Sequence, residues 1–304
     1  MFGEIFGEGF FLPVLRGEMP GRAMRGSADI GDSSPPSGRL AELDSCFRDH
    51  ALDSPEFNRA ATSMIVQSCI NGARSADFHP QLPLDPETMA RDGAACVAAG
   101  AAELHVHARG LDGRESLAPA AMDRTILALR RACPGTLIGV STGAWIENDD
   151  ECTLAAITGW TELPDYASVN LSEKAAPEVM QSLRQRGIGI EAGLASVADA
   201  ERLVSLDHGS QVLRILIEIS EQELDEALEA CDGIAVVLDR AGLRRAILLH
   251  GADATVWPFV RRAAERNWST RVGLEDGRQL PDGTTASGNA ALTAAAVAIF
   301  RAGR

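Results

Sequence analysis

No cysteine pair, no long apolar run and no basic stripe occur in this 304-residue chain, and each absence removes a class of protein. The six cysteines (Cys46, Cys69, Cys96, Cys133, Cys152 and Cys231) are scattered without a CxxC, which reads as reduced thiols in a cytoplasmic protein, not a disulfide frame. Only 28 arginines and lysines stand against 43 acidic residues, giving a formal charge of −15 and a pI near 4.8. Such a surface cannot neutralise phosphates, so nucleic acid and anionic membrane are excluded as partners, while a small anion held by a few local arginines is not. No apolar run approaches the ~20 residues a membrane-spanning helix requires. The opening MFGEIFGEGFFLPVL carries Glu4 and Glu8 and lacks a basic start, which makes a poor signal peptide.

A sustained hydrophobic period is missing from residues 1–63 as well. This stretch contains GDSSPPSG (31–38), many glycines and at most a short helix at 39–48, and reads as a low-complexity, disordered extension or a mis-called start ahead of Met64.

From Met64 onward, strand and helix signals alternate. Strand-like runs fall at 64–70, 102–108, 136–142, 165–171, 187–193, 212–219, 245–251 and 270–276. Amphipathic stretches follow at 86–99, 118–132, 151–160, 175–186, 195–206, 220–231, 253–267 and 287–302, with Asp85 as a cap and Pro86 in the first turn of the first helix. Eight strand–helix repeats predict an α/β fold, a (β/α)8 TIM barrel, as a single catalytic domain over 64–304. An open doubly wound sheet fits less well, because no Gly-rich phosphate loop follows the first strand.

In such a barrel, chemistry sits at the carboxyl ends of the strands. His105-Val106-His107 ends the second strand; alternation sends both imidazoles to one face and Val106 to the other. Alone the pair is open between a metal site and core histidines. Glu275, ending the eighth strand, is the best third ligand, since two histidines and a glutamate with one open position form a catalytic zinc set. Asp276 is then free as a base, and Arg271 either holds a carboxylate, orients Asp276, or pairs with Glu275 or Glu191. Two adjacent carboxylates ending an apolar strand repel unless a cation is near. Arg271, Gly273 and Glu275 are expected on one strand face, as are Gly187, Gly189 and Glu191, with the glycines leaving room below a charge. Ser141 and Thr142 end the third strand, Asn170 the fourth and His250 the seventh.

Gly139-Val140-Ser141-Thr142-Gly143 matches G-x-S-x-G, the nucleophile elbow of serine hydrolases. The upstream glycine cluster is missing, however, and the next helix begins late. Ser141 and Thr142 therefore read as substrate hydrogen-bond donors. His79, in HPQLP, reads as structural or as a rim contact.

Together these residues resemble the β-keto acid cleavage enzyme family. The matching stretches are Asn71-Gly72-Ala73, HPQLPLDPET (79–88), AGAAELHVHARGLDGRES (99–116), STG (141–143), Glu191 and RVGLEDG (271–277), so the likeness runs from about 64 to 303. The resemblance implies a zinc-dependent homo-oligomeric barrel that condenses a β-keto acid with acetyl-CoA, giving acetoacetate and a new CoA ester. It implies His105, His107 and Glu275 as zinc ligands, Asp276 as the base supported by Glu191 and Arg271, and Ser141 as a donor to the substrate. Three departures stand out. Arg74 occupies the place where a member acting on an amino-bearing substrate has a glutamate, which predicts a keto acid with an anionic or neutral far end. The family's Gly-rich loop after strand six has no counterpart in ILIEISEQELDEA, leaving CoA use open. Gly110 replaces an aspartate after the HxHxR. The alternatives are a CoA-independent metal-dependent aldolase or hydrolase on the same barrel, a metal-holding barrel that binds a small acid without turnover, and a serine hydrolase.

Overall fold

The computed structural model describes residues 64–302. The reading of 1–63 as a disordered tail with a short helix at 39–48 lies outside the described residues. Among the described residues, eight parallel strands close into a barrel in chain order: β1 (Val66–Cys69), β2 (Glu103–Val106), β3 (Leu137–Ser141), β4 (Tyr166–Asn170), β5 (Gly189–Leu194), β6 (Arg214–Ile219), β7 (Ile247–Gly251) and β8 (Ser269–Val272). The alternating helices are α1 (Pro86–Ala98), α2 (Pro119–Ala132), α3 (Asp150–Gly159), α4 (Ala176–Gln185), α5 (Val197–Ser205), α6 (Leu224–Arg240), α7 (Val256–Arg266) and α8 (Asn289–Ala302). The TIM barrel expected from the alternating pattern is the fold observed.

Side-chain alternation divides each strand between two environments. Outward-facing residues such as Leu104, Val106, Ile138, Val140, Val169, Ile190, Ile215 and Ile217 are buried beneath the helices. The inward face is unusually polar. Gln67, Glu103, Glu191, Arg214 and Arg271 are all buried there, and Gln67 pairs in register with Glu103, as Glu191 does with Arg214. Buried charges persist only when paired, and here they are. Arg214 bonds Glu103 and lies 2.7 Å from Glu191, while Tyr166 receives a hydrogen bond from Gln67 and donates to the Leu104 carbonyl.

Local chemistry sets the element ends. Asp85 accepts from the Thr88 amide at 2.9 Å and Thr88 answers at the Asp85 amide, a reciprocal cap with Pro86 opening α1 as expected. Helix α6 begins four residues later than the sequence pattern suggests and continues to Arg240, burying Cys231, Ile234 and Leu238. Asn289, fully buried at the start of α8, accepts from the Leu274 amide and donates to the Ile70 carbonyl and the Asp92 carboxylate, each at 2.7 Å.

Two expectations about strand ends are corrected. Strand β8 stops at Val272, and residues 273–277 form a turn in which the amides of Asp276 and Gly277 donate to the Gly273 carbonyl. Arg271 and Glu275 meet because that turn folds back, not because they share a strand face. Gly273 allows it by contact: a β-carbon there would lie 1.7 Å from the Cys69 carbonyl oxygen. Gly187 precedes β5 in a left-handed turn with open space around it, so it makes no room for Glu191.

Candidate active site

A cavity of 340 Å³ opens at the carboxyl end of the barrel, lined among others by His105, His107, Ser141, Asn170, Arg271 and Glu275. Strand β2 ends at Val106, and His105 within it and His107 just after it present their rings to one face, with centroids 5.3 Å apart. His107 Nε2 lies 3.6 Å from Glu275 Oε1, and His105 Nε2 lies 4.0 Å from Oε2. One ligand atom from each of the three residues falls within 4.8 Å of the others. His105 Nδ1 and Glu275 Oε2 are buried with no hydrogen-bond partner among the described residues. Buried polar atoms left unpaired call for a water or an ion, and a two-histidine, one-carboxylate set suits a divalent metal. The residues fit such an ion.

The backbone around the triad is tightly held. Asn71 clasps the His107 peptide, donating to its carbonyl and accepting from its amide, both at 2.9 Å. Arg109, the arginine of HxHxR, is a loop clamp that donates to the carbonyls of Gly72, Arg74 and Gly113. Glu115 accepts at His107 Nδ1 over 2.5 Å, which leaves Nε2 to face Glu275.

Electrostatics separate the two rings. Burial pulls the His105 imidazole down to about 3, against the pull of Glu275. Burial also works against His107, but Glu275 and then Glu115 outweigh it and hold that ring at about 9. Burial would raise Glu275 too, yet Arg271 and the two histidines keep it well below the carboxylate range. Arg271 is the pivot of the floor: it bonds Glu275 and lies 3.8 Å from Glu218 and 3.9 Å from Glu191.

The remaining sequence candidates divide. Ser141 lines the cavity, its Oγ accepting from the Gly143 amide at 3.2 Å; among the described residues no histidine nitrogen bonds it. Thr142 is not on the cavity wall, because its hydroxyl donates to the Ser168 carbonyl at 2.7 Å. Asn170 lines the wall and donates to Glu173. Arg74 lines the rim, but its guanidinium is already engaged by the carbonyls of Glu275 and Asp276, by Asp253, and by the face of Phe78. Glu191 sits deeper, bonded by Ser168 and Gln67 and paired with Arg214, and makes no contact with Asp276. Asp276 is 3% exposed and turned away from the cavity, with one oxygen 2.6 Å from the Cys69 thiol and the other 3.1 Å from His250 Nδ1. His250 Nε2 in turn meets Glu218, which does line the cavity. His79 is structural: its ring joins the Ala286 carbonyl and the Gln81 amide.

Sequence reasoning missed Trp145 and Glu218 on the wall, Glu115 behind His107, and Gln67, Glu103 and Arg214 below. A charged residue on the inward side of an otherwise apolar strand, as Arg214 and Glu218 are in RILIEI, was the available signal.

A parallel eight-stranded barrel with a metal-competent triad at its carboxyl end defines a TIM barrel with a candidate metal centre. Comparison with known sequences narrows that class. The profile of the beta-keto acid cleavage enzyme family matches residues 63–303, and the chain belongs to that family of carbon–carbon bond-cleaving enzymes. Among curated relatives, the 3-keto-5-aminohexanoate cleavage enzyme of Acetoanaerobium sticklandii is 30% identical over 89 residues, 29% of this chain and 33% of that protein. The enzyme of the same name from Fusobacterium nucleatum subsp. nucleatum is 32% identical over 88 residues, 29% of this chain and 32% of that protein. The alignments thus span about a third of the length of these relatives. In structure, a ternary complex of ObcA with a C4-CoA adduct and oxalate superposes with a TM-score of 0.58 at 16% identity, covering 71% of this chain and 62% of that one. Apo ObcA gives the same score over 61% of its chain, and both likenesses concern the fold alone.

Proposed function

We propose that this chain is a zinc-dependent β-keto acid cleavage enzyme, condensing a β-keto acid with acetyl-CoA to give acetoacetate and a CoA ester. The observation that carries the reading is the convergence of His105, His107 and Glu275 on one cavity wall in a chain of this family. His105, His107 and Glu275 would hold the zinc, which when bound supplies Lewis-acid polarisation of a keto oxygen. Ser141 donates to the substrate from β3, the strand beside the histidines. Arg271 orients Glu275 and offers its cationic edge to a carboxylate, while Glu191 fixes Arg271 from below. Asp276 is the base; its link to the cavity is an ion-pair contact with His250 Nδ1 at 3.1 Å, and the hydrogen bond of His250 Nε2 to Glu218. Thr142 serves as scaffold to Ser141, and Asn170 bounds the substrate's side chain. Arg74, with its charge shared among two carbonyls and Asp253, favours a substrate whose far end is anionic or neutral.

The deciding experiment is a panel of β-keto acids with and without acetyl-CoA, read by mass detection of the CoA ester, before and after metal removal by a chelator. Turnover that survives chelation, or a metal-free protein labelled at Ser141 by a serine-directed phosphonate, overturns the reading. Amino-bearing keto acids turned over best, with Arg74→Glu lowering that activity, would overturn the substrate assignment.

One observation favours a second reading, a CoA-independent metal-dependent aldolase or hydrolase. Only residues 220–223 separate β6 from α6, so no long loop stands there to meet a nucleotide. A Schiff-base route is closed to it, because the sole lysine of the sequence, Lys174, is exposed on the β4–α4 loop. Equal turnover with and without acetyl-CoA would select this reading.

A further inference from the structure

The hairpin after β2 and the loop after β3 meet over His107 in a way the reaction above does not require. Arg109 and Glu115 form an isolated antiparallel bridge, and the Gly110 amide donates to the Arg114 carbonyl at 2.8 Å. This fold-back carries Glu115, eight residues after His107, back onto the ring. One carboxylate oxygen meets His107 Nδ1 at 2.5 Å and the other accepts from Trp145 Nε1 at 3.1 Å. The Trp145 indole lies nearly parallel to the His107 ring, 25° between planes and 6.4 Å between centroids. It also covers Gly143, where a β-carbon would stand 2.2 Å from the indole edge. A single carboxylate thus ties the histidine to the indole, and the indole closes over both from the cavity side while remaining half exposed.

We propose that Glu115 is a positioning residue for His107, aiming its Nε2 at Glu275, and that Trp145 is the clasp that holds Glu115 and forms the flat wall of the cavity. The proposal rests on the metal reading of the triad. A metal-ligating histidine whose far nitrogen is held by a carboxylate has its tautomer and ring orientation fixed, and loss of such a partner typically weakens metal affinity about 10- to 100-fold. The indole N–H bonds Glu115 and not the histidine itself, so the loss of this one bond weakens affinity by a smaller factor, about two- to tenfold, the worth of an ordinary hydrogen bond.

The test uses the full chain and zinc ion alone, titrated against a competing fluorescent chelator, with indole emission recorded in parallel. Glu115→Gln is expected to bind zinc about 10- to 100-fold more weakly, with an unchanged urea midpoint. Trp145→Phe should bind with the intermediate loss and abolish the zinc-dependent change in emission. His107→Ala is the control for the centre itself. Glu115→Gln and Trp145→Phe binding like the wild type while His107→Ala fails would overturn the clasp and leave the metal centre standing. Wild type without zinc affinity, or His107→Ala binding normally, would overturn the metal reading and the clasp with it. If Glu115→Gln does not fold, the Trp145→Phe affinity and emission decide alone.

Discussion

Gly72 and Glu275 compete for the same space: a β-carbon on Gly72 would stand 2.4 Å from Cγ of Glu275. Gly72 also holds a left-handed backbone at φ +57°, which costs an L-residue roughly 1–2 kcal/mol. The Gly72→Ala protein is therefore expected to fold with a modest loss of stability and to retain little metal, because its third ligand is pushed aside. Elemental analysis after gel filtration in zinc checks this; a full equivalent of bound metal would contradict it.

The barrel floor makes a second prediction. Arg214 is buried between Glu103 and Glu191, so Arg214→Ala leaves Glu103 without its cation and Glu191 with only Arg271, 3.9 Å away. Breaking a buried pair from one side costs about 3–5 kcal/mol. Urea denaturation should show a loss of that size, and a loss under about 1 kcal/mol, the worth of a surface pair, would mean the floor is hydrated.

The fold was legible because its signal is repetitive: each strand run and each amphipathic run reinforces the same architecture. The histidine pair was legible for the same reason, since a period of two places His105 and His107 together without any knowledge of neighbours. What stayed hidden depends on folding back. Glu115 reaches His107 only through a hairpin, and Trp145 arrives from another loop. Arg214 and Glu218 look anomalous in an apolar strand until Glu103, Glu191 and His250 are seen opposite. The full length of α6 was masked by Gly233, a residue that suggests a break but here admits the Val197 side chain, 2.9 Å from where its β-carbon would be. The end of β8 was misread because Gly273 looks like one more strand position, whereas it begins a turn.

Ser141 and Thr142 are neighbours with different prospects. Ser141→Ala should lower kcat/KM on the best β-keto acid by about tenfold or more, the worth of a hydrogen bond to a charged group. Thr142→Val removes a buried donor to the Ser168 carbonyl, so about 1 kcal/mol of stability should go while KM stays put. Steady-state kinetics beside thermal melts separate the two, and a Thr142→Val protein with a raised KM would place that residue on the substrate after all.

His250 gives the chain a dependence on pH. Burial and Arg271 press its imidazole down, but Asp276 and Glu218 prevail and hold it at about 9, above the ordinary 6.5. A group whose folded value is raised contributes stability that is complete below the unfolded value and is lost as pH climbs through the folded one. Wild-type stability should therefore decline between about pH 6.5 and pH 9, with His250 contributing on the order of 3 kcal/mol. His107, also held at about 9, adds a decline over the same range, so His250→Gln should show a shallower slope, not a flat one. Identical slopes in the two proteins, read from melts across that range, would contradict the assignment.

Asn289 reaches three parts of the chain at once: the end of β1, the turn that carries Glu275, and helix α1. It belongs to the last of the described helices, and the histidines are made well before it. The candidate third ligand is thus anchored by a helix made after both histidines, and a growing chain cannot bring the three together until that helix has docked. A metal that bound only the sealed form would hold it shut by mass action.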